Sequence, residues 1–283
     1  MVNNMLERKA SKKIENWIHS NDKNALLIEG ARQTGKSFLI EETLKRNHCD
    51  YVLFNLYENE DARKAFDMST SPKDIIMKMK LLTDKKLIEK ETIIVIDEVQ
   101  YALNALTMIK FLVQEGSYRY ILSGSVLGVE LGNVKSLPVG YVTVIDMYPM
   151  DFEEFLIANK VSEEIIEYLK ESFVNRIKVD DLIHKKILAL FNLYLIIGGL
   201  PEAVQTFVNT HDINEVRKIH AYIDRLYHMD ISKYDKEDAL KIKDIYDLIP
   251  SELNAQNKRF ILKDIKNQAR FYEYEDSFVW LIN

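Results

Sequence analysis

The 283-residue chain has a single cysteine, Cys49. No intramolecular disulfide can form, which fits a reducing cytoplasmic setting. No apolar run reaches the roughly 20 residues that a membrane-spanning helix needs. The longest such stretch, 187–200, is interrupted by Asn192 and closed by Gly198 and Gly199. It reads as a buried helix, part of a longer one over 182–197. The N-terminus is charged and lacks the apolar segment of a signal peptide. Internal repeats and low-complexity tracts are absent. An excess of positive charge is missing too, since 38 Lys and Arg face 44 Asp and Glu for a net charge of −6. A globally basic surface for nucleic acid is thereby excluded, and only a local patch remains open to that role. These absences describe a soluble protein with no membrane partner. Hydrophobic residues make up 47% of the chain, enough for a sizeable core, and the length suits about two domains.

What is present centres on Gly30, Ala31, Arg32, Gln33, Thr34, Gly35, Lys36 and Ser37, which fit G-x-x-x-x-G-K-[ST] without a gap. The apolar run 25–28 precedes them and reads as a buried strand. Phe38, Leu39, Ile40 and Leu44 follow at helical spacing. A strand before and a helix after are the context that makes this pattern a phosphate-binding Walker A loop. Its amides and the positive end of the next helix converge on the β- and γ-phosphates. Lys36 is expected to reach the same phosphates, Ser37 to place its hydroxyl on Mg²⁺, and Phe38 to border the nucleotide.

The run Thr92–Ile96 is rich in β-branched residues, as in a central parallel strand buried on both faces. It ends in Asp97 and Glu98, with Asp97 sixty positions after Ser37. That is a Walker B pattern: Asp97 for the metal, Glu98 to polarise the attacking water. The run 118–122 reads as another strand and delivers Ser123, then Ser125. Ser123 is the candidate to sense the γ-phosphate or hold the water; a turn serine capping the next segment is the competing reading.

Strands at 25–28, 51–54, 92–96, 118–122 and 141–145 alternate with helical patterns, as in a parallel sheet covered on both faces. Ser71, Pro72 and Asp74 form a helix start, with Leu82 and Leu87 at the far end of its stripe, and Gly116 is placed to end the helix over 103–115. After Pro149 only helical periodicity is found, beginning with a capping-box pattern at Asp151 and Glu154. The stripe Ile242, Ile245 and Leu248 is ended by Pro250. The chain stops on an apolar pattern at 280–282, so we expect it to be a fragment of a longer protein.

The segments GARQTGKS, IIVIDEVQ (93–100), LSGS (122–125), MYPMDFEEFL (147–156) and GGLPEAV (198–204) together resemble a family of prokaryotic AAA+ superfamily ATPases. Its members usually carry a further C-terminal domain resembling restriction-endonuclease folds. The resemblance implies an α/β P-loop NTPase with a RecA-like ASCE core over 1–148. A helical lid over 149–232 and the start of a winged-helix domain over 233–283 follow. It implies ATP and Mg²⁺, a switch or motor role for an effector domain absent here, and an oligomer. By analogy with related signal-transduction ATPases, Gly199 and Pro201 would border the base; a helix break for packing alone is the alternative. Many members have an arginine after the glycine corresponding to Gly140, where this chain has Tyr141, and Tyr141→Arg is expected to speed hydrolysis if the backbone aims it at the phosphates.

A nucleic-acid-binding protein with a regulatory nucleotide site competes with this reading. Its support is the basic, aromatic segment with Lys258, Arg259, Lys263, Lys266, Arg270, Phe271 and Tyr272, a candidate DNA contact. The acidic cluster Glu273, Glu275 and Asp276 opposes it. A kinase sharing the loop is disfavoured by the Asp-Glu pair, which suits water as acceptor.

Overall fold

The computed structural model describes residues 6–125, 140–232, 236–255, 259–266 and 269–282. Contacts divide it into two compact units, Met1–Val216 and Arg217–Asn283.

The first unit is built on a five-stranded sheet. The strands are β1 (Ala25–Glu29), β2 (Tyr51–Asn55), β3 (Ile93–Asp97), β4 (Arg119–Gly124) and β5 (Val142–Asp146). Their order is β2-β3-β4-β1-β5 and every neighbouring pair is parallel. The strands have period 2, so alternate residues supply two separate cores. Ala25 and Leu27 of β1 join Ile94 and Ile96 of β3 on one face, under α3 (Glu60–Asp67), α4 (Pro72–Leu82) and α5 (Leu103–Glu115). Leu26 and Ile28 join Val95 and Ile121 on the other, under α1 (Lys9–His19) and α2 (Lys36–Arg46). β3 is buried along its whole length, which is why its sequence reads as an unbroken apolar run.

Local signals set several boundaries. Ser71 accepts a hydrogen bond from Asp74 N ahead of Pro72 at the first position of α4. Gly116 ends α5 in the left-handed region at φ 78°. α4 stops at Leu82, so Leu87 lies beyond it, buried in the following loop. α3 carries little sequence signal: only Ala62 and Phe66 of its eight residues are buried, and Asn59 caps it through Ala62 N.

Helices follow the sheet: α6 (Phe152–Ala158), α7 (Glu163–Asn175), α8 (Asp181–Ile197) and α9 (Pro201–Thr210). The capping box at Asp151 and Glu154 is formed. The expectation of a buried helix over 182–197 is corrected. α8 is helical, but Leu182 is 78% exposed and Leu195 66%. The helix is apolar on more than one side. α6 covers one side, where Phe152 meets Phe191 and Tyr194 with ring centroids 5.1 and 5.5 Å apart.

α10 (Ile213–Ile231) begins at the end of the first unit and runs into the second. The second unit continues with α11 (Lys236–Asn254), 3-10 turns at Leu262–Asp264 and Phe271–Glu273, and α12 (Glu275–Ile282). Tyr246 donates to Asp224 at 3.0 Å, and Phe260 packs edge-on to Phe278. α11 does not end at Pro250, as its sequence implied, but runs on to Asn254 with Pro250 inside. Proline costs a helix one N–H donor and some strain, and Pro250 sits exposed near the C-terminal end of this one. Among the described residues this unit contains no strand. No helix of the described residues is long and apolar enough to cross a membrane.

Candidate functional site

All five strands point the same way, so their carboxyl ends form one edge of the sheet, the edge where open α/β sheets take ligands. The loop 30–35 leaves β1 there. At Gly30 a Cβ would stand 2.1 Å from Met147 O, so only glycine lets the two backbones pass. Gly35 caps α2 in the left-handed region at φ 84°. Lys36 is buried, and its Nζ donates to Gly30 O and Ala31 O, both at 2.9 Å. Thr34 Oγ1 donates to Ala31 O as well. Burial pushes the Lys36 pKa below the ordinary lysine range, against the pull of Glu98 and Asp97. Arg32 is half-buried, Ala31 and Gln33 are exposed, and Phe38 stands 60% exposed in the first turn of α2.

Asp97 is buried at the end of β3 and accepts from three side chains. Ser37 Oγ reaches its Oδ1 at 2.9 Å, Ser123 Oγ reaches the same oxygen, and Asn55 Nδ2 approaches Oδ2 at 3.4 Å. Ser123, the candidate to sense the γ-phosphate or hold the water, is fully buried and donates its hydroxyl to Asp97. The residue after Asp97 turns sharply: Glu98 has φ 57° and ψ 49°, a left-handed conformation unusual for glutamate. Its Oε2 accepts from Gln100 Nε2 and, at 3.5 Å, from Ser125 Oγ.

The break at Gly198–Pro201 is seated against the loop. Met150 N donates to Gly199 O at 2.6 Å, and Tyr194 donates to Met150 O at 2.8 Å. A Cβ on Gly199 would stand 2.1 Å from Met150 O, which explains the glycine. A Cβ on Gly35 would stand 3.6 Å from Pro201 Cγ, so the proline that starts α9 lies over the phosphate loop.

Arg8 was not singled out by its sequence context. Its guanidinium is buried and donates to Glu154 Oε1 at 3.2 Å, to Thr34 O at 3.1 Å and to Tyr148 O at 2.6 Å. Glu154 also accepts from Lys9 N and Asp151 N. One ion pair thus joins the start of α1, the phosphate loop and α6. Glu154 and Arg8 are 146 positions apart, and no local pattern links them. Removing one member of a buried pair leaves the other charge uncompensated, at a cost of about 3–5 kcal/mol. Arg8→Ala is expected to lower the unfolding free energy by that amount in urea titration. A loss within about 0.5 kcal/mol, ordinary for a surface site, would deny the pair its role.

Tyr141 lies elsewhere. Ala25 N donates to Tyr141 O at the amino end of β1, whereas the loop leaves the carboxyl end, about 16 Å away at roughly 3.3 Å per residue. Its hydroxyl accepts from Gln114 and its ring faces Lys110. The expectation that Tyr141→Arg would aim a charge at this chain's own phosphates is therefore corrected.

Comparison with known proteins agrees with this fold. Residues 22–156 match the model of a family described as an AAA domain, and 188–283 match one described as a domain of unknown function. The match and the fold together mark residues 22–156 as an AAA-type P-loop domain. It is 23% identical over 263 residues to an uncharacterized protein of Methanocaldococcus jannaschii, covering 90% of this chain and 54% of that protein. The chain thus spans about half the length of that curated relative. A solved Walker-type ATPase of Pyrococcus abyssi shares the fold at TM-score 0.59 and 15% identity, over 99% of this chain and 90% of that one.

Proposed function

We propose that this chain binds ATP with Mg²⁺ and hydrolyses it to ADP and phosphate, as a switch or motor module in a longer protein. The observation that carries the reading is the meeting of Ser37 and Asp97 at 2.9 Å beside Lys36 and Glu98. Two hard oxygen donors side by side, with further acceptor capacity on Asp97, suit Mg²⁺. Ser37 and Asp97 would hold it, and the ion would neutralise charge on the phosphate oxygens. Lys36 turns from its loop carbonyls to the β- and γ-phosphates. Glu98 orients a water in line with the γ-phosphorus and takes its proton. Ser123 and Asn55 keep Asp97 aimed at the metal side. Pro201 closes the loop toward the base, and the helices after 149 act as the lid that senses the nucleotide. A domain beyond this chain is the effector that the cycle drives or regulates.

The test is phosphate release from ATP with Mg²⁺ and no added acceptor. Steady release above a no-enzyme control, abolished by chelation, is the expected result. Binding without release, or transfer only to an added acceptor, would sink hydrolysis as the reaction. A DNA-binding role has one supporting feature: Arg259, Lys263, Lys266 and Arg270 are exposed beside exposed Phe271 and Tyr272. Phosphate contacts there would give affinity that falls steeply with salt; salt-insensitive or absent binding removes that reading.

A further inference from the structure

Glu98 does not stand alone at the end of β3. Its left-handed backbone opens a one-turn 3-10 helix, Val99–Tyr101. That turn is anchored on both sides. Val99 is fully buried and Ala102 nearly so, and Tyr101 packs on Tyr57 with ring centroids 5.0 Å apart. With Val99 pinned in the core, the Gln100 side chain folds back over the turn. Its Nε2 donates both to Glu98 Oε2 and, at 3.1 Å, to Ser125 Oγ. Ser125 is fully buried at the end of β4 and is itself within reach of Glu98 Oε2.

We propose that Gln100, backed by Ser125, is a positioning residue for Glu98 in ATP hydrolysis. The inference rests on the hydrolytic reading above. Both donors meet one oxygen, Oε2, and neither touches Oε1. The carboxylate is thus fixed in orientation, and among the described residues no hydrogen-bond donor meets Oε1, the oxygen that would accept a proton from water. The amide orientation is set by charge: turning Gln100 over would aim its carbonyl oxygen at a carboxylate. A left-handed glutamate costs conformational energy, and the anchored turn and the Gln100 hydrogen bond hold it there. Asp97 is held by a different set, Ser37, Ser123 and Asn55. The two carboxylates are therefore oriented independently, one toward the metal side and one toward water.

Four variants of the chain test this, with ATP and Mg²⁺ as probes: Gln100→Met, which keeps length without donating, Gln100→Ala, Ser125→Ala and Ser125→Thr. A hydrogen bond to a charged group typically matters enough that its loss lowers kcat about 10–100-fold. We expect that loss in both Gln100 variants, with the Kd and KM for ATP near wild type. Ser125→Ala should lose less, and Ser125→Thr, which keeps the hydroxyl, should resemble wild type. In a Glu98→Gln background, Gln100→Met should cost nothing further, since it acts through Glu98. A folded Gln100→Met chain with wild-type kcat overturns the inference and leaves hydrolysis standing. A loss that persists in the Glu98→Gln background overturns it too. A wild-type chain that binds ATP and never releases phosphate overturns the hydrolytic reading, and this inference with it.

Discussion

Glu98→Gln is expected to keep ATP and Mg²⁺ bound and to lose about 10²–10⁴-fold in turnover, the usual worth of a positioned general base. Glutamine has the shape of glutamate and keeps an oxygen that can accept from Gln100, so the turn after β3 need not move. What it loses is the capacity to take a proton from water. Asp97, one residue earlier, is buried among Ser37, Ser123 and Asn55. Its set of donors is untouched by the change, so the metal side of the site should be preserved. Single-turnover phosphate release alongside equilibrium nucleotide binding separates the two effects. Native turnover in a Glu98→Gln chain would mean that another group serves as base. Asp97→Asn should behave differently, weakening the dependence on Mg²⁺ concentration.

Lys36→Met should abolish tight ATP binding. The Lys36 ammonium is buried and rests on two backbone carbonyls of the loop. Such a group is desolvated already, and burial holds its pKa down, so it gains strongly when phosphate oxygens replace the carbonyls. Hydrogen bonds to charged groups contribute about 1.5–3 kcal/mol each. Two of them correspond to about 10²–10⁴-fold in Kd at about 1.4 kcal/mol per tenfold. Methionine preserves the length and apolar stem, which limits the packing loss. Calorimetric titration with ATP and Mg²⁺ reads the affinity, and thermal unfolding of the free variant checks the fold. An unchanged Kd would remove Lys36 from the phosphate site.

The parts of this protein that its sequence alone determined are those whose physics is local. The loop 30–37 is readable because its geometry needs glycines, a lysine and a hydroxyl within eight consecutive positions, between a strand and a helix. β3 is readable because burial on both faces demands an unbroken apolar run. The starts of α4 and α6 are readable because a cap and its helix are covalent neighbours. α3 was illegible: it buries two side chains and its cap is an isolated Asn59. Tertiary structure alone decided what depends on which elements come to lie side by side. Sheet order set Asp97 beside Ser37 and Ser123, and it set Tyr141 at the opposite edge from the loop. Chain folding brought Arg8 to Glu154 and Thr34, an ion pair for which no spacing rule exists. Packing on α6 left much of α8 exposed although its composition reads as buried. Pro250 stands inside a helix that the sequence pattern ended there. Local propensities are worth tenths of a kcal/mol to about 1 kcal/mol per residue, and proline about 3. Burial of a single large side chain is worth about 1.5–3 kcal/mol, so contacts made across the fold are large enough to outweigh a local preference.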